Sequence, residues 1–477
     1  IKVISKELAM LNFFTALENK ETTTLLFDGL FGLEKESIRV DREGNVALSD
    51  HPHILGDKSI NPYITTDFAE AQIELITRPL PSISATLEFI SVLHDIVSIC
   101  LGNEYLWPYS MPPKLPEEIN TIKIANFSDI TTTQYREFLA KKYGIKKQLI
   151  SGVHFNFSFT HELIMHLYTS SQNQYSFLDF KNAVYMKVAR NYFKLSWLVI
   201  YLFGASSVIH KSYFKQTVKP NDNLATEAIL CTDGSSFRNG VNGYRNIDNF
   251  FVSYNSLHEY IADIQNAINN KKIIQAQEYY SQVRLKTKTK KNILHNLATT
   301  GVEYIEIRTL DINPYLPVGV CQEQLEFIHI LLVYCLLLAD SNMSNTDYFN
   351  AQNNQIIAAD SSIFEPIYLI NEQGKKEDIV KMSNDVIDKM YELFVKLEVP
   401  KEKLMLIQKI KNNLNNKNNC IAKKIIQNVQ MQGYNNFFLN TAKANKDSSS
   451  ARYPNFPTNS AVKGNQFFNE VVATLKL

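Results

Sequence analysis

Residues 301 to 314 read Gly-Val-Glu-Tyr-Ile-Glu-Ile-Arg-Thr-Leu-Asp-Ile-Asn-Pro and set a carboxylate beside a guanidinium. On a strand alternate residues share a face, so Tyr304, Glu306 and Arg308 point one way while Ile305 and Ile307 point the other. That pairing suits a metal-phosphate site; for this strand alone, an internal ion pair in a core sheet suits it as well. Two further stretches repeat the arrangement. Between Ser151 and Phe159, the polar His154, Asn156 and Ser158 alternate with Val153, Phe155, Phe157 and Phe159. Between Thr66 and Ile76, Glu70, Gln72 and Glu74 share a side opposite Ala69, Ala71, Ile73 and Leu75, and Asp67 falls on the other face unless a bulge re-aims it. A fourth stretch, Gly32 to Val40, carries Glu34 and Glu36 on one face. Its opposite face, Lys35, Ser37 and Arg39, is not apolar, which predicts a strand that is less enclosed or at an edge.

If these strands belong to one sheet, their polar sides line a single cup. Two carboxylates about 5 Å apart repel by roughly 3 kcal/mol at an effective dielectric near 20, so four or five together exceed the stability of a typical domain. Each acid taken singly fits a solvated face; the set calls for cations. Carboxylate oxygens with one histidine and no cysteine are hard ligands, which favours Mg²⁺, with Mn²⁺ as the alternative, over zinc. Magnesium among arginines points to ATP phosphates.

The elements that must position these residues follow from the rest of the chain. Residues 1 to about 25 read as helical, 48–63 as a Gly/Pro/Asn-punctuated loop, and about 84–102 and 174–203 as helices with apolar spacing of three and four. Pro108, Pro112, Pro113 and Pro116 mark a loop that could border the site. From about 374 the chain turns charged and helical, then asparagine-rich through Lys411–Asn419. Residues 443–465 predict a mobile connection before a short final helix.

The 477 residues carry 49 basic and 48 acidic side chains, a net charge of +1, so no global field recruits nucleic acid or anionic membrane. Cysteines 100, 231, 321, 335 and 420 are odd in number and form no Cys-x-x-Cys, which predicts free thiols in a reducing, cytoplasmic setting. The apolar run Phe327 to Ala339 is too short to span a bilayer and predicts a buried helix. No basic-then-apolar leader opens the chain, although Ile1 leaves the true start open.

Five segments, Gly32–Val40, Ile64–Thr77, Ser151–Ser158, Tyr201–Ser206 and Gly301–Pro314, resemble in order those of bacterial glutamate-cysteine ligases of the enterobacterial type. The resemblance covers about residue 10 to at least 340. It implies an α+β fold in which a mainly antiparallel sheet forms a cup-shaped active site with surrounding helices, glutamine-synthetase-like. It also implies ATP-dependent joining of the γ-carboxylate of L-glutamate, through γ-glutamyl phosphate, to the amino group of L-cysteine, the first step of glutathione biosynthesis.

Carried over by position, the resemblance implies Glu34, Glu36, Asp67, Glu74, His154 and Glu306 as metal ligands. Arg308 would meet the transferring phosphoryl group and Arg238 the glutamate; Phe68, Tyr135, Arg136, Gln148, Tyr244 and Tyr280 would line the substrate pocket. Tyr279 could replace Tyr280 after a one-residue slip. The basic run Arg284–Lys291 is either a solvated loop or a contact to ATP phosphates, with Arg284 the candidate. The expected organisation is a catalytic domain over 1–440 and a poorly ordered tail over 441–477 with a short helix, with no second catalytic domain and a monomeric state. Three alternatives stay open: a ligase using another amine, a phosphotransferase on the same fold, and a non-catalytic thiol- or glutathione-binding protein.

Overall fold

A computed structural model describes residues 13, 17, 20–171, 175–214, 227–230, 234–289, 291–416, 420–457 and 465–476. In chain order the strands are β1 (Gly29–Val40), β2 (Ile64–Thr66), β3 (Gln72–Ile76), β4 (Tyr105–Leu106), β5 (Val153–Phe159), β6 (Val208–His210), β7 (Ala228–Leu230), β8 (Val283–Lys286), β9 (Tyr304–Leu310), β10 (Tyr368–Ile370) and β11 (Lys376–Asp378). The main sheet runs β2-β3-β1-β5-β9-β8, with β4 beside the end of β1, and every pairing in it is antiparallel. Helices and sheet segregate as in an α+β architecture.

One face of the sheet is apolar because the sequence alternates. Ile73 and Leu75, Val153, Phe155 and Phe157, Ile305 and Ile307, and Val283 and Leu285 are all buried in one cluster. Helices Ile83–Cys100, Phe177–Phe203 and Gln322–Leu337 contribute to that cluster. The first two begin at serine caps: Ser82 Oγ accepts from Ala85 N and Ser176 Oγ from Asp179 N, both at 3.1 Å. His329 lies among the rings of Phe27, Phe31 and Phe157.

The opposite face carries the chemistry, and register collects it. Glu34 of β1 sits opposite His154 of β5, Glu36 opposite Glu74 of β3, Asn156 opposite Glu306 of β9, and Glu306 opposite Arg284 of β8. A bulge in β9, where Arg308 and Thr309 together oppose His154, shifts the register between Val153 and Phe155 of β5.

Three expectations are corrected. β1 is not an edge: it lies between β3 and β5, and Lys35, Ser37 and Arg39 are buried. Local partners make this tolerable, since Lys35 Nζ donates to Ser37 Oγ at 2.6 Å and Arg39 reaches the Glu104 carboxylate, Ser49 and the Glu70 carbonyl. Residues 66–76 are not one strand. A turn separates β2 from β3, with Asp67 N donating to Gln72 O, and it sends Glu70 away from the cup to Lys58, His51 and Asn126.

Third, residues 441–452 are not a poorly ordered tail; they continue helix Tyr434–Arg452. Its end is fixed on helix Ile83–Cys100, where Ser449 Oγ and Arg452 Nε each donate to the buried Asp95 carboxylate at 2.7 Å. The short helix expected near the end is Gln466–Val472; residues 458–464 lie outside the described set. As expected, Phe327–Leu337 lies in a buried helix, Gln322–Leu337; among the described residues, helix Ile83–Cys100 is long and apolar enough to cross a membrane, and 61% of that window is buried inside the protein.

The helix expected over residues 1–25 is described only at Lys20–Leu25 and a few residues before it, and Cys231 lies outside the described residues. The described cysteines, 100, 321, 335 and 420, are free thiols.

Candidate active site

The floor of the cup is His154. Its Nδ1 lies 3.4 Å from Glu34 and 3.9 Å from Glu306, and its Nε2 lies 3.7 Å from Glu36. Ligand atoms of Glu34, His154 and Glu306 all fall within 4.8 Å of one another, and all three residues are buried. Burial first, and the Arg308 charge next, hold the imidazole at about 4, so it is neutral at neutral pH and keeps a lone pair.

The acids divide into two electrostatic classes. Burial pushes the Glu36 carboxyl well above its ordinary range, and Asp67 and Glu74 push it further against the pull of Arg238 and Arg308. Burial alone would raise Glu306 too, but Arg284, Lys286 and Arg308 outweigh it and hold that carboxyl well below its ordinary range. The distances agree: Arg284 Nε donates to Glu306 at 2.6 Å, Lys286 Nζ at 3.0 Å and Arg308 Nη1 at 3.3 Å. Glu306 thus gathers cations, while Glu36 sits among like charges that a divalent cation would relieve. The donors Glu34, Glu36, Glu74 and His154, with Asp67 within electrostatic reach, fit a hard divalent ion. The buried His154 Nε2 has no hydrogen-bond partner, which leaves a donor atom for it.

Asp67 reaches this side because the turn after β2 re-aims it; its charge acts on Glu36 and Tyr244. Arg136 holds that turn, Nε donating to the Asp67 carbonyl while its guanidinium lies 4.3 Å over the Phe127 ring. Arg136, expected to face the substrates, also braces the loop at Thr66 and Asp67. Phe68 is fully packed in a second hydrophobic cluster, against which Tyr135, Tyr244 and Tyr280 also lie.

A small cavity opens beside the cup, lined by Arg238, Asn239, Tyr244, Tyr280, Gln282 and Arg308 among others. The Tyr244 and Tyr280 rings stand 4.5 Å apart, and the Arg308 guanidinium lies 6.0 Å over Tyr244. Tyr135 and Gln148 border Tyr280. The Tyr279 ring belongs to the core, its hydroxyl 3.3 Å from those of Tyr254 and Tyr348, whereas Tyr280 lines the cavity.

Arg238 is set from behind. Asp311 accepts from Ala205 N at 2.8 Å and from Ser206 Oγ at 2.9 Å, and Ser206 Oγ accepts Arg238 N at 3.2 Å. Arg238 Nη1 in turn donates to the Arg308 carbonyl at 2.7 Å. Gly152 is required alongside, because a Cβ there would stand 2.3 Å from the Arg238 guanidinium. Gly152 N also donates to Glu36 at 2.8 Å.

The basic run 284–291 divides. Arg284 and Lys286 lie on β8 and face into the cup, whereas Lys288 and Lys291 are exposed. The two readings of the run, solvated loop or phosphate contact with Arg284 as the candidate, both missed Lys286. Its signal was present in the alternation Val283-Arg284-Leu285-Lys286, a half-buried strand's period. Asn156, which donates to Glu34 at 2.9 Å, was noted on its polar face but given no role.

The family profile described as glutamate-cysteine ligase matches residues 14–273 and 268–357. The chain belongs to the glutamate-cysteine ligase family. It is 41% identical over 440 residues to a Listeria monocytogenes protein, glutathione biosynthesis bifunctional protein GshAB, covering 91% of this chain and 56% of that one. A Clostridium perfringens protein of the same description is 37% identical over 419 residues, covering 87% and 53% respectively. The chain thus spans about half the length of these curated relatives.

Among solved structures, a Francisella tularensis glutamate-cysteine ligase in complex with AMP superposes with a TM-score of 0.79 at 26% identity, covering 94% of this chain and 98% of that one. A bifunctional glutathione synthetase from Pasteurella multocida superposes at 0.81 with 27% identity, covering 93% and 55%.

Proposed function

We propose that this chain joins the γ-carboxylate of L-glutamate to the amino group of L-cysteine at the expense of ATP, releasing γ-glutamylcysteine, ADP and phosphate. The observation that carries the reading is one sheet face on which Glu34, Glu36, Glu74 and Glu306 meet His154, Arg284, Lys286 and Arg308. An amine does not attack a carboxylate anion, so the γ-carboxylate oxygen first takes the terminal phosphoryl group of ATP and the bond to ADP breaks. The amine nitrogen then attacks the acyl carbon, loses its proton, and phosphate departs.

In the first step two anions must approach. Arg308, Arg284 and Lys286 absorb charge on the transferring group, and Arg238 orients the glutamate. Magnesium, held by Glu34, Glu36, Asp67, Glu74, His154 and Glu306, would supply Lewis-acid neutralisation between phosphate and carboxylate. Tyr135, Gln148, Tyr244 and Tyr280 form the pocket for the amine, with Phe68 packed behind it. The enterobacterial-type assignment within the family rests on the five ordered motif segments. A cytoplasmic enzyme is the corresponding proposal, supported by the free thiols of the described cysteines, and a monomeric state is proposed beside it.

The test is steady-state ADP release with Mg-ATP and L-glutamate, with and without L-cysteine, then with L-serine or L-2-aminobutyrate. Strong stimulation by cysteine with γ-glutamylcysteine as product is expected. Release indifferent to cysteine would keep the ATP site and move the acceptor elsewhere; no release would end the enzymatic reading.

A further inference from the structure

The cavity beside the cup lies between two separate loops and Arg308 of β9. One carries Arg238, Asn239 and Tyr244; the other carries Tyr280, Ser281 and Gln282. Nothing in the sheet register joins them, yet the rings they present stand 4.5 Å apart. One side chain does join them. Asn246, two residues after Tyr244, accepts from Tyr280 N through Oδ1 at 2.9 Å and donates through Nδ2 to the Glu278 carbonyl at 2.7 Å. A side-chain amide here makes both bonds that a neighbouring strand's backbone would make, so it acts as a two-point clamp on residues 278–280.

The clamp is anchored on both sides. Asn246 Nδ2 also donates to Tyr143 Oη at 3.0 Å, and that hydroxyl donates to Glu278 Oε1 at 2.6 Å. Glu278 is fully buried, and its carboxylate also accepts from Lys142 Nζ at 2.6 Å and from Ile274 N at 2.7 Å. On the other loop, Arg245 Nε donates to the Asn239 carbonyl at 3.0 Å, tying Asn246's neighbour back to the cavity wall. The Tyr143 ring packs 5.5 Å from Tyr280, so the brace touches the pocket ring as well as its backbone.

We propose that Asn246 is a positioning residue that fixes the separation of Tyr244 and Tyr280, and so sets which amine the pocket accepts. The proposal rests on the ligase reading above. Asn246 need not touch substrate, because its effect passes through the two tyrosine loops. A loosened clamp lets the rings drift, which weakens acceptor binding and blurs its selection while leaving the metal cup on the sheet unaltered.

The experiment compares wild type, Asn246→Ala and Asn246→Asp in the ADP-release assay, varying ATP, L-glutamate, L-cysteine, L-2-aminobutyrate and L-serine in turn. Asn246→Asp keeps the acceptor for Tyr280 N but sets a carboxylate oxygen against the Glu278 carbonyl, so it should disturb the 278–280 loop at least as much as Asn246→Ala. For Asn246→Ala, KM for cysteine is expected to rise about tenfold or more, the usual scale for removing a group that orients a binding residue, with KM for glutamate and ATP within about twofold. The kcat/KM preference for cysteine over 2-aminobutyrate should shrink.

A rise shared equally by all three substrates, or an unchanged amine preference, would overturn the proposal. If Asn246→Ala fails to fold, the amine preference of Asn246→Asp decides alone. A wild type that releases ADP without regard to any amine would instead overturn the ligase reading and the inference together, so the two failures are distinguishable.

Discussion

Glu306→Gln removes one charge and almost no volume from the centre of the cup. Glu306 is fully buried and faces three cationic groups at 2.6, 3.0 and 3.3 Å. At about 3 Å and an effective dielectric near 20 each such attraction is on the order of 5 kcal/mol before desolvation is subtracted. Glutamine keeps an oxygen for one donor but leaves the Arg284, Lys286 and Arg308 charges without their shared counter-ion. Unpairing a buried charge costs about 3–5 kcal/mol, so the ligand-free variant should melt well below wild type. Mg-ATP should restore part of that loss, because its phosphates can partner the freed cations.

Turnover should fall by about 10²-fold or more, a barrier increase of about 2.7 kcal/mol, because a divalent ion held in the cup would lose an anionic ligand. The assay is ADP release over a magnesium titration, with melting temperature read with and without Mg-ATP. The half-saturating magnesium concentration should rise in the variant. Turnover within about threefold of wild type at the same magnesium would remove Glu306 from the metal set and refute the reasoning.

Asp311→Asn should act on glutamate alone: with the support behind Ser206 and Arg238 weakened, KM for glutamate rises about tenfold while KM for cysteine holds, and parallel rises in both would refute it. His329→Leu tests linkage. Burial among aromatic rings holds that imidazole at about 3, below its ordinary 6.5, so the unfolded chain binds the extra proton and stability present above pH 6.5 is lost as pH falls toward 3. Between pH 7 and 5 this amounts to about 2 kcal/mol, and the variant's melting temperature should fall less over that interval than wild type's. Arg452→Ala, which strips the ion pair from buried Asp95, should cost about 1–3 kcal/mol in urea denaturation without changing KM for any substrate; a change in KM would mean that the helix end communicates with the cup.

Most of the cup was legible because period-two alternation is written directly in the chain. His154 and Asn156 against Val153, Phe155 and Phe157, and Glu306 and Arg308 against Ile305 and Ile307, put site and core on opposite faces as expected. Where alternation breaks, the reading failed. β1 carries charge on both faces, so nothing local indicated that Lys35 and Arg39 would be buried in the middle of a sheet; that depends on Ser37, Ser49 and Glu104 arriving from elsewhere. Glu70 kept its phase with Glu74 in sequence and lost it in space, because the intervening turn is stabilised by a bond from Asp67 to Gln72 that periodicity does not encode. The helix over 441–452 was hidden by its run of serines, a composition that signals disorder unless a buried partner such as Asp95 waits for it.

The two-sided charge of β1 makes the length of that strand unusually unforgiving. Adding one residue between Gly32 and Glu34 would exchange the faces of the rest of the strand against β3 and β5, carrying Lys35 into the cup and driving the Glu34 and Glu36 carboxylates into the apolar layer beneath. The same single-residue insertion in the exposed loop over 372–375 between β10 and β11 would only lengthen a surface connection. Reading-frame-preserving insertions should therefore divide sharply in a genetic selection: those in the loop survive, and those in the first half of β1 lose fold and chemistry in one step.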